Sequence, residues 1–256
     1  MRSIKSFVPY RVQNAMRVLL GISAIEARMS ELEERLGRSE DKLDEFEKIS
    51  FSKDFWERSR VRWRGNEPST GLTWNKELKG DNFISKVASY NAFGPDSAVL
   101  EIGPGYGRLL KAMLTQGVSF KNYLGVDLSP DRVRQLKETF ANEKIDFRQG
   151  DVENVALDGT FDVVISSLTF KHLYPTFEKS LANLTTYVNL NGMLFFDLVE
   201  GKANFFEYGG ETYLHFYQKS EVLEILGRTN LELVAFDQVE HDPEHVRLLV
   251  VAKKVK

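Results

Sequence analysis

The chain reads as an α/β protein: a doubly wound, mostly parallel sheet of seven strands with an antiparallel final strand, preceded by a helical, coiled-coil extension. Three observations predict this. An apolar run, Ala98–Ile102, ends in glycines at alternate positions, Gly103, Gly105 and Gly107, and a helical pattern follows, as a buried strand, a tight turn and a helix would read. Apolar and helix-period segments then alternate, which is how a parallel sheet with crossover helices is written. The last two apolar segments, 231–237 and 246–253, are joined by a connection too short for a crossover helix, so they must pair antiparallel.

The N-terminal fifth does not belong to that pattern. Residues 1–25 carry Arg2, Lys5, Arg11 and Arg17 with no acid before Glu26, interleaved with apolar residues, and read as a basic amphipathic helix. Its apolar run is too short to span a bilayer and lacks a secretory cleavage site. It suits an anionic membrane surface, as a peripheral contact, or packing on the chain itself or a partner. From Ile22 the apolar residues fall on a heptad, Ile22, Ile25, Met29, Leu32, Leu36, Leu43 and Phe46, with polar Ser39 and Gly37 interrupting it. That spacing predicts either a coiled-coil seam forming a homo-oligomer or one long helix lying across the following domain. Residues 1–50 are therefore an arm, 51–95 a lid or linker, and 96–256 the α/β domain. The lid or linker holds all three tryptophans, Trp56, Trp63 and Trp74, with Arg58, Arg60, Arg62 and Arg64. Such a segment can stack on a sugar ring or pair with an anion, or simply seal a junction.

Within the domain the pattern predicts a helix over 109–115, a strand over 123–127 and a helix over 131–142 started by Ser129 and Pro130. Strands follow at 145–149 and 161–165, then a helix over 175–188 stopped by Asn191-Gly192, a strand over 193–197 and a helix over 219–228.

A glycine turn at a strand's carboxyl end lets the backbone approach a nucleotide-like ligand. Glu101 puts a carboxylate near the strand tip, able to receive a hydroxyl or an ammonium. The dinucleotide fingerprint would place a third glycine where Arg108 stands; here it comes one residue early. Asp127, at the tip of the second strand, supports a nucleoside without choosing between fold families.

The ordered set EIGPGYG (101–107), GVDLSP (125–130), GDVENV (150–155), FDVVISS (161–167) and NGMLFF (191–196) resembles the class I S-adenosylmethionine-dependent methyltransferases, over roughly residues 98–253. The resemblance implies that S-adenosyl-L-methionine is the cofactor and that the domain has that family's Rossmann-like fold. It implies that Gly103 and Gly105 face the methionine part, Glu101 orients its amino end, Asp127 takes the ribose hydroxyls, and Asp151 and Val152 meet the adenine. Leu128 and Ser166 complete the expected cofactor contacts, with Trp74 and Asp81 reaching in from the lid segment.

Acceptor chemistry is expected in SSLTFKHLY (166–174), after the fourth strand, which lacks the Asn-Pro-Pro-aromatic sequence of methyltransferases acting on DNA amino groups. His172 in this loop is the expected general base, since histidine's ordinary pKa lies nearest neutrality. His215, alternating with Tyr213 and Tyr217, is the second catalytic histidine, expected on the acceptor; Lys171 and Tyr174 are weaker candidates. His241 and His245 flank the final turn, and no metal site is expected there. The absence of cysteine excludes a disulfide framework and a cysteine nucleophile and suits a cytoplasmic enzyme, at the inner face of the membrane if the basic helix binds it. A formal net charge of −3 with no long Lys/Arg block argues against a nucleic-acid partner. The expected activity is O-methylation of a sugar, glycan or small metabolite. The alternatives are a small-molecule N-methyltransferase and a non-catalytic scaffold assembling through the arm.

Overall fold

The computed structural model describes residues 80–201, 205–207, 212–241 and 246–255, together with Ile25 and residues 28–33. The chain forms two compact units, Met1–Phe51 and Ser52–Lys256. In the first, residues 28–33 are helical, Arg28 pairs with Glu31 at 3.1 Å, and Ile25, Met29 and Leu32 are each more than half exposed. The basic segment 1–24, the rest of the heptad, and Trp74 with the arginine-rich stretch around it lie outside the described residues.

The described residues of the second unit form ten strands, numbered in chain order: β1 (Ala98–Ile102), β2 (Asn122–Asp127), β3 (Ile145–Gln149), β4 (Phe161–Ser166), β5 (Val188–Glu200), β6 (Phe205–Glu207), β7 (Thr212–Leu214), β8 (Phe216–Tyr217), β9 (Leu231–His241) and β10 (Val246–Lys254). Five α-helices accompany them among the described residues: α1 (Asp81–Ser89), α2 (Arg108–Thr115), α3 (Pro130–Phe140), α4 (Phe177–Thr185) and α5 (Lys219–Gly227). The main sheet runs β3-β2-β1-β4-β5-β10-β9, with β8 pairing the far end of β5. β1 to β5 are parallel, while β10 is antiparallel to both β5 and β9. The predicted seven-stranded sheet with its antiparallel closing pair is thus present, with an eighth short strand added.

The strands are apolar on both faces because helices cover both. On one face Leu100, Val164, Phe196 and Val250 meet Phe177, Leu181 and Leu184 of α4 and Val222 and Leu226 of α5. On the other, Val99, Ile165, Phe195 and Leu249 meet Phe83, Ile84 and Val87 of α1 and Leu109, Leu110 and Met113 of α2. Order reverses between β1 and β4, so the carboxyl ends of these two strands open the crevice in which such sheets bind ligands.

Three local features differ from the sequence pattern. Asn191-Gly192 does not stop a helix: α4 ends at Thr185, and the pair sits inside β5 as a bulge, where the register with β4 shifts between Phe161 and Val163. Asn191 takes φ +67°, and a Cβ on Gly192 would lie 2.9 Å from the Asn189 carbonyl oxygen and 3.1 Å from that of Asp162, so only glycine fits the second place. Helix α1, within the segment read as lid or linker, is clamped to the sheet by Lys86, whose Nζ lies 3.0 Å from the Asp237 carboxylate on β9. The third feature is the β6–β7 hairpin between β5 and β8, which the sequence reading does not include.

Candidate active site

The glycine turn after β1 is held from below. The Gly103 amide donates to the Val126 carbonyl (2.8 Å), tying the turn to β2, and the Gly107 amide donates to Pro104 (2.8 Å). All three glycines take positive φ, +69°, +58° and +77°, which L side chains disfavour. Their surroundings differ. A Cβ on Gly103 would come 2.3 Å from Thr169 Oγ1, and one on Gly107 would come 2.7 Å from the Phe140 ring; one on Gly105 would meet only Arg132 Nη1, at 3.5 Å. Gly105 is thus the member of the turn with room beside it, the cradle a ligand's backbone approach needs.

Asp127 ends β2 beside that cradle. One carboxylate oxygen accepts the Gly105 amide at 3.0 Å and the other the Ser129 amide at 2.9 Å. Each oxygen keeps a second lone pair, so Asp127 can receive vicinal hydroxyls while it fixes the turn. The fit to a ribose-bearing cofactor is good. Leu128 follows it, and Gln149 Nε2 donates to the Leu128 carbonyl at 3.5 Å. Asp151 opens the turn after β3, where its carboxylate accepts the Glu153 amide (3.2 Å); Val152 beside it is buried, and its carbonyl accepts from Asn183 Nδ2 (2.9 Å). Asp127, Asp151 and Val152 therefore stand at the carboxyl ends of the neighbouring strands β2 and β3.

Glu101 is sealed inside, 2% exposed, and accepts a short hydrogen bond from the Tyr123 hydroxyl. Burial pushes its carboxyl up to about 7, against the downward pull of the Tyr123 bond and the Arg108 charge and with a further upward push from Asp127. Burial and the Glu101 carboxylate together push the Tyr123 phenol well up, so Tyr123 remains the donor. The folded protein then holds the Glu101 proton more tightly than the unfolded chain. The stability this carries is complete below the ordinary value of 4.5 and is lost as the pH rises through about 7, amounting to up to about 3 kcal/mol. Glu101→Gln is expected to flatten the fall in urea-unfolding stability between pH 5 and 8; an unchanged slope would remove Glu101 as its source.

Ser166 points into the sheet, 1% exposed, and donates to the Ile102 carbonyl at 2.9 Å, fastening β4 to the end of β1. Asp81 lies at the start of α1, where Gln116 Nε2, just past α2, donates to its carbonyl at 3.1 Å. The sequence reading overlooks a buried polar group on the same sheet face: Asp197 of β5, Arg247 of β10, and Ser167 and Leu168 after β4. Its signal is present in the sequence as a lone acid and a lone base inside two apolar runs, LFFDLV and VRLLVV.

The segments that carry the two histidines meet through their backbones. His172 lies in a 3-10 turn, Phe170–His172, against which β7 packs, and the His215 amide donates to the Lys171 carbonyl at 3.0 Å. His215 Nε2 sits 3.1 Å from Glu221 Oε1 of α5, its ring stacks on Tyr174 at 4.1 Å, and Tyr217 meets it edge-on at 4.4 Å. Its Nδ1 is buried with no hydrogen-bond partner among the described residues. Glu221, which orients the ring, is a further residue that the sequence reading does not find.

Comparison with known proteins agrees with this geometry. A family model described as "Methyltransferase domain" matches residues 100–196, from inside β1 to the middle of β5. The chain is 23% identical over 220 residues to a ubiquinone biosynthesis O-methyltransferase of Rickettsia akari, covering 78% of this chain and 82% of that protein. It is 25% identical over 112 residues to a ribosomal RNA small subunit methyltransferase A of Prochlorococcus marinus, covering 42% of this chain and 38% of that one. The crystal structure of a Burkholderia thailandensis 1,6-didemethyltoxoflavin-N1-methyltransferase, with its acceptor and S-adenosylhomocysteine bound, superposes with a TM-score of 0.59 at 17% identity, over 83% of this chain and 90% of that one. The strand order, the glycine turn backed by Asp127, and these similarities together make the stretch around residues 100–196 a methyltransferase domain of the class I S-adenosylmethionine-dependent kind.

Proposed function

We propose that the protein methylates a hydroxyl of a small molecule, with sugars and glycans the class its sequence suits best. The observation that carries this reading is the His215–Glu221 pair beside the turn after β4. A hydroxyl is a poor nucleophile until it gives up its proton, so an O-methyltransferase gains from an oriented base, whereas a neutral amine already carries its lone pair. With Nε2–H donated to Glu221, the Nδ1 lone pair of His215 is the open position. The sequence assigned the base to His172; the carboxylate that orients His215 favours His215 in that role, with His172 beside it as an acceptor contact. The similarity to a protein named as an O-methyltransferase, over most of both chains, supports the same reading.

S-adenosylmethionine supplies a methyl group on a sulfonium, whose departure as a neutral thioether drives the transfer. The chain's part is to hold that group on the glycine turn through Gly103, Gly105 and Asp127, to align the acceptor oxygen and to exclude water. His215 Nδ1 would take up the proton that the acceptor hydroxyl gives up when its oxygen is methylated. Glu221 stabilises the imidazolium that results.

Transfer of a labelled methyl group to parallel panels of sugars and phenols, small amines and ribosomal RNA tests this. Label on hydroxyl acceptors alone is the expected result. Label on amines or RNA would replace the reading with N-methylation or nucleic-acid modification, and failure to bind S-adenosylmethionine would indicate a non-catalytic scaffold.

We also propose that the arm joins copies of the chain. Ile25, Met29 and Leu32 follow the heptad and are 51–58% exposed, which leaves an apolar stripe for a second helix. Light scattering of a chain beginning at Ser52 is expected to give a smaller particle than the full chain, and equal masses would oppose this.

A further inference from the structure

The mechanism leaves a buried polar group unused. Asp197, 2% exposed, accepts the Leu168 amide at 2.6 Å on one oxygen, and the Ser167 hydroxyl at 2.7 Å and a short bond from Arg247 Nη2 on the other. Ser167 Oγ accepts from Arg108 at 2.9 Å and from Arg247 at 3.1 Å. Burial alone would raise the Asp197 carboxyl; the Arg247 guanidinium and the amide and hydroxyl bonds hold it below its ordinary value, as an acceptor-only carboxylate. Its placement on the chain is particular. Leu168, whose amide it binds, stands at φ +61°, a left-handed conformation that a leucine does not adopt without compensation. The next residue, Thr169, fills the space over Gly103, so that a Cβ there would fall 2.3 Å from its hydroxyl oxygen. Three residues on stands His172, and Lys171 between them binds the His215 amide.

We infer that Asp197, with Arg247, is a positioning residue for methyl transfer: it clamps Leu168 in the left-handed conformation and thereby sets the loop that closes over the glycine turn on one side and carries the histidine turn on the other. The inference rests on the family assignment for where the cofactor lies, not on which acceptor is methylated. A buried acid and base serving only to brace the sheet would have no need of a leucine in that conformation. The clamp explains the leucine, because a charge-assisted bond to its amide offsets the backbone strain. A glycine at 168 would not need the clamp, since it takes positive φ unaided.

That difference supplies the test, read as S-adenosylhomocysteine affinity by calorimetry alongside the thermal midpoint. Asp197→Asn is expected to weaken binding tenfold or more and to lower the midpoint. Adding Leu168→Gly to Asp197→Asn should bring binding back to within about threefold of the native chain while the midpoint stays low, a separation that a merely structural role does not give. Leu168→Ile, which leaves the cluster intact but puts a β-branched residue at positive φ, should weaken binding at least threefold. It serves also if Asp197→Asn does not fold. Native affinity in folded Asp197→Asn, no recovery on adding Leu168→Gly, or native affinity in Leu168→Ile would each overturn the inference.

Discussion

Asp127→Ala is expected to weaken S-adenosylhomocysteine binding by about 3 to 5 kcal/mol, roughly 150- to 5,000-fold, while leaving the chain folded. Two losses combine. The first is the pair of charge-assisted bonds to the ribose hydroxyls. The second is the anchor of the glycine turn, because the same carboxylate holds the amides of Gly105 and Ser129. The two can be separated. Asp127→Asn keeps one acceptor oxygen for a backbone amide but loses the charge and half the acceptor capacity, so its loss is expected to be smaller, about 2 kcal/mol. Calorimetry on both variants, with circular dichroism to confirm folding, measures this. Native affinity in Asp127→Ala would take Asp127 out of the cofactor site, and equal losses in the two variants would mean that the turn does not depend on it.

What the sequence made legible was mostly local. Strand, glycine turn and helix between Ala98 and Thr115 are contiguous, and their signals (an apolar run, glycines at fixed offsets, a helical period) do not depend on distant residues. The same holds for Ser129, which caps α3 by accepting the Arg132 amide at 3.4 Å, and for the antiparallel closing pair, whose short connection excluded a crossover. The misread and missed features are of another kind. Asn191-Gly192 carries the signal of a helix stop, and only its position opposite β4 makes it a bulge. The Asp197–Arg247 pair joins residues fifty apart, and the register of β5 with β10, not any local pattern, brings them to one face. Glu221 was invisible as a site residue because, by sequence, it is one more acid in the first turn of a helix. The β6–β7 hairpin was legible and passed over: Gly209-Gly210 between two aromatic-rich runs is a hairpin signal.

His215→Ala is expected to lower turnover by 10²- to 10⁴-fold, the range a positioned general base contributes, with S-adenosylhomocysteine affinity held within about threefold. The affinity should hold because His215 lies on the segment after β7, bound to the turn after β4, whereas the groups proposed to face the cofactor stand at the ends of β1, β2 and β3. Removing the ring also empties the slot between Tyr174 and Tyr217, so packing has to be separated from proton transfer. Glu221→Gln does this: it leaves the slot filled and preserves a hydrogen-bonding oxygen for Nε2, but removes the negative charge that stabilises the imidazolium formed in the reaction. It is expected to cost about tenfold in turnover with little change in KM. His172→Ala, on the neighbouring turn, should act mainly through KM for the acceptor. Normal turnover in His215→Ala with a dead His172→Ala would return the base to the residue the sequence first indicated; normal turnover in both would mean that the acceptor loses its proton without either histidine.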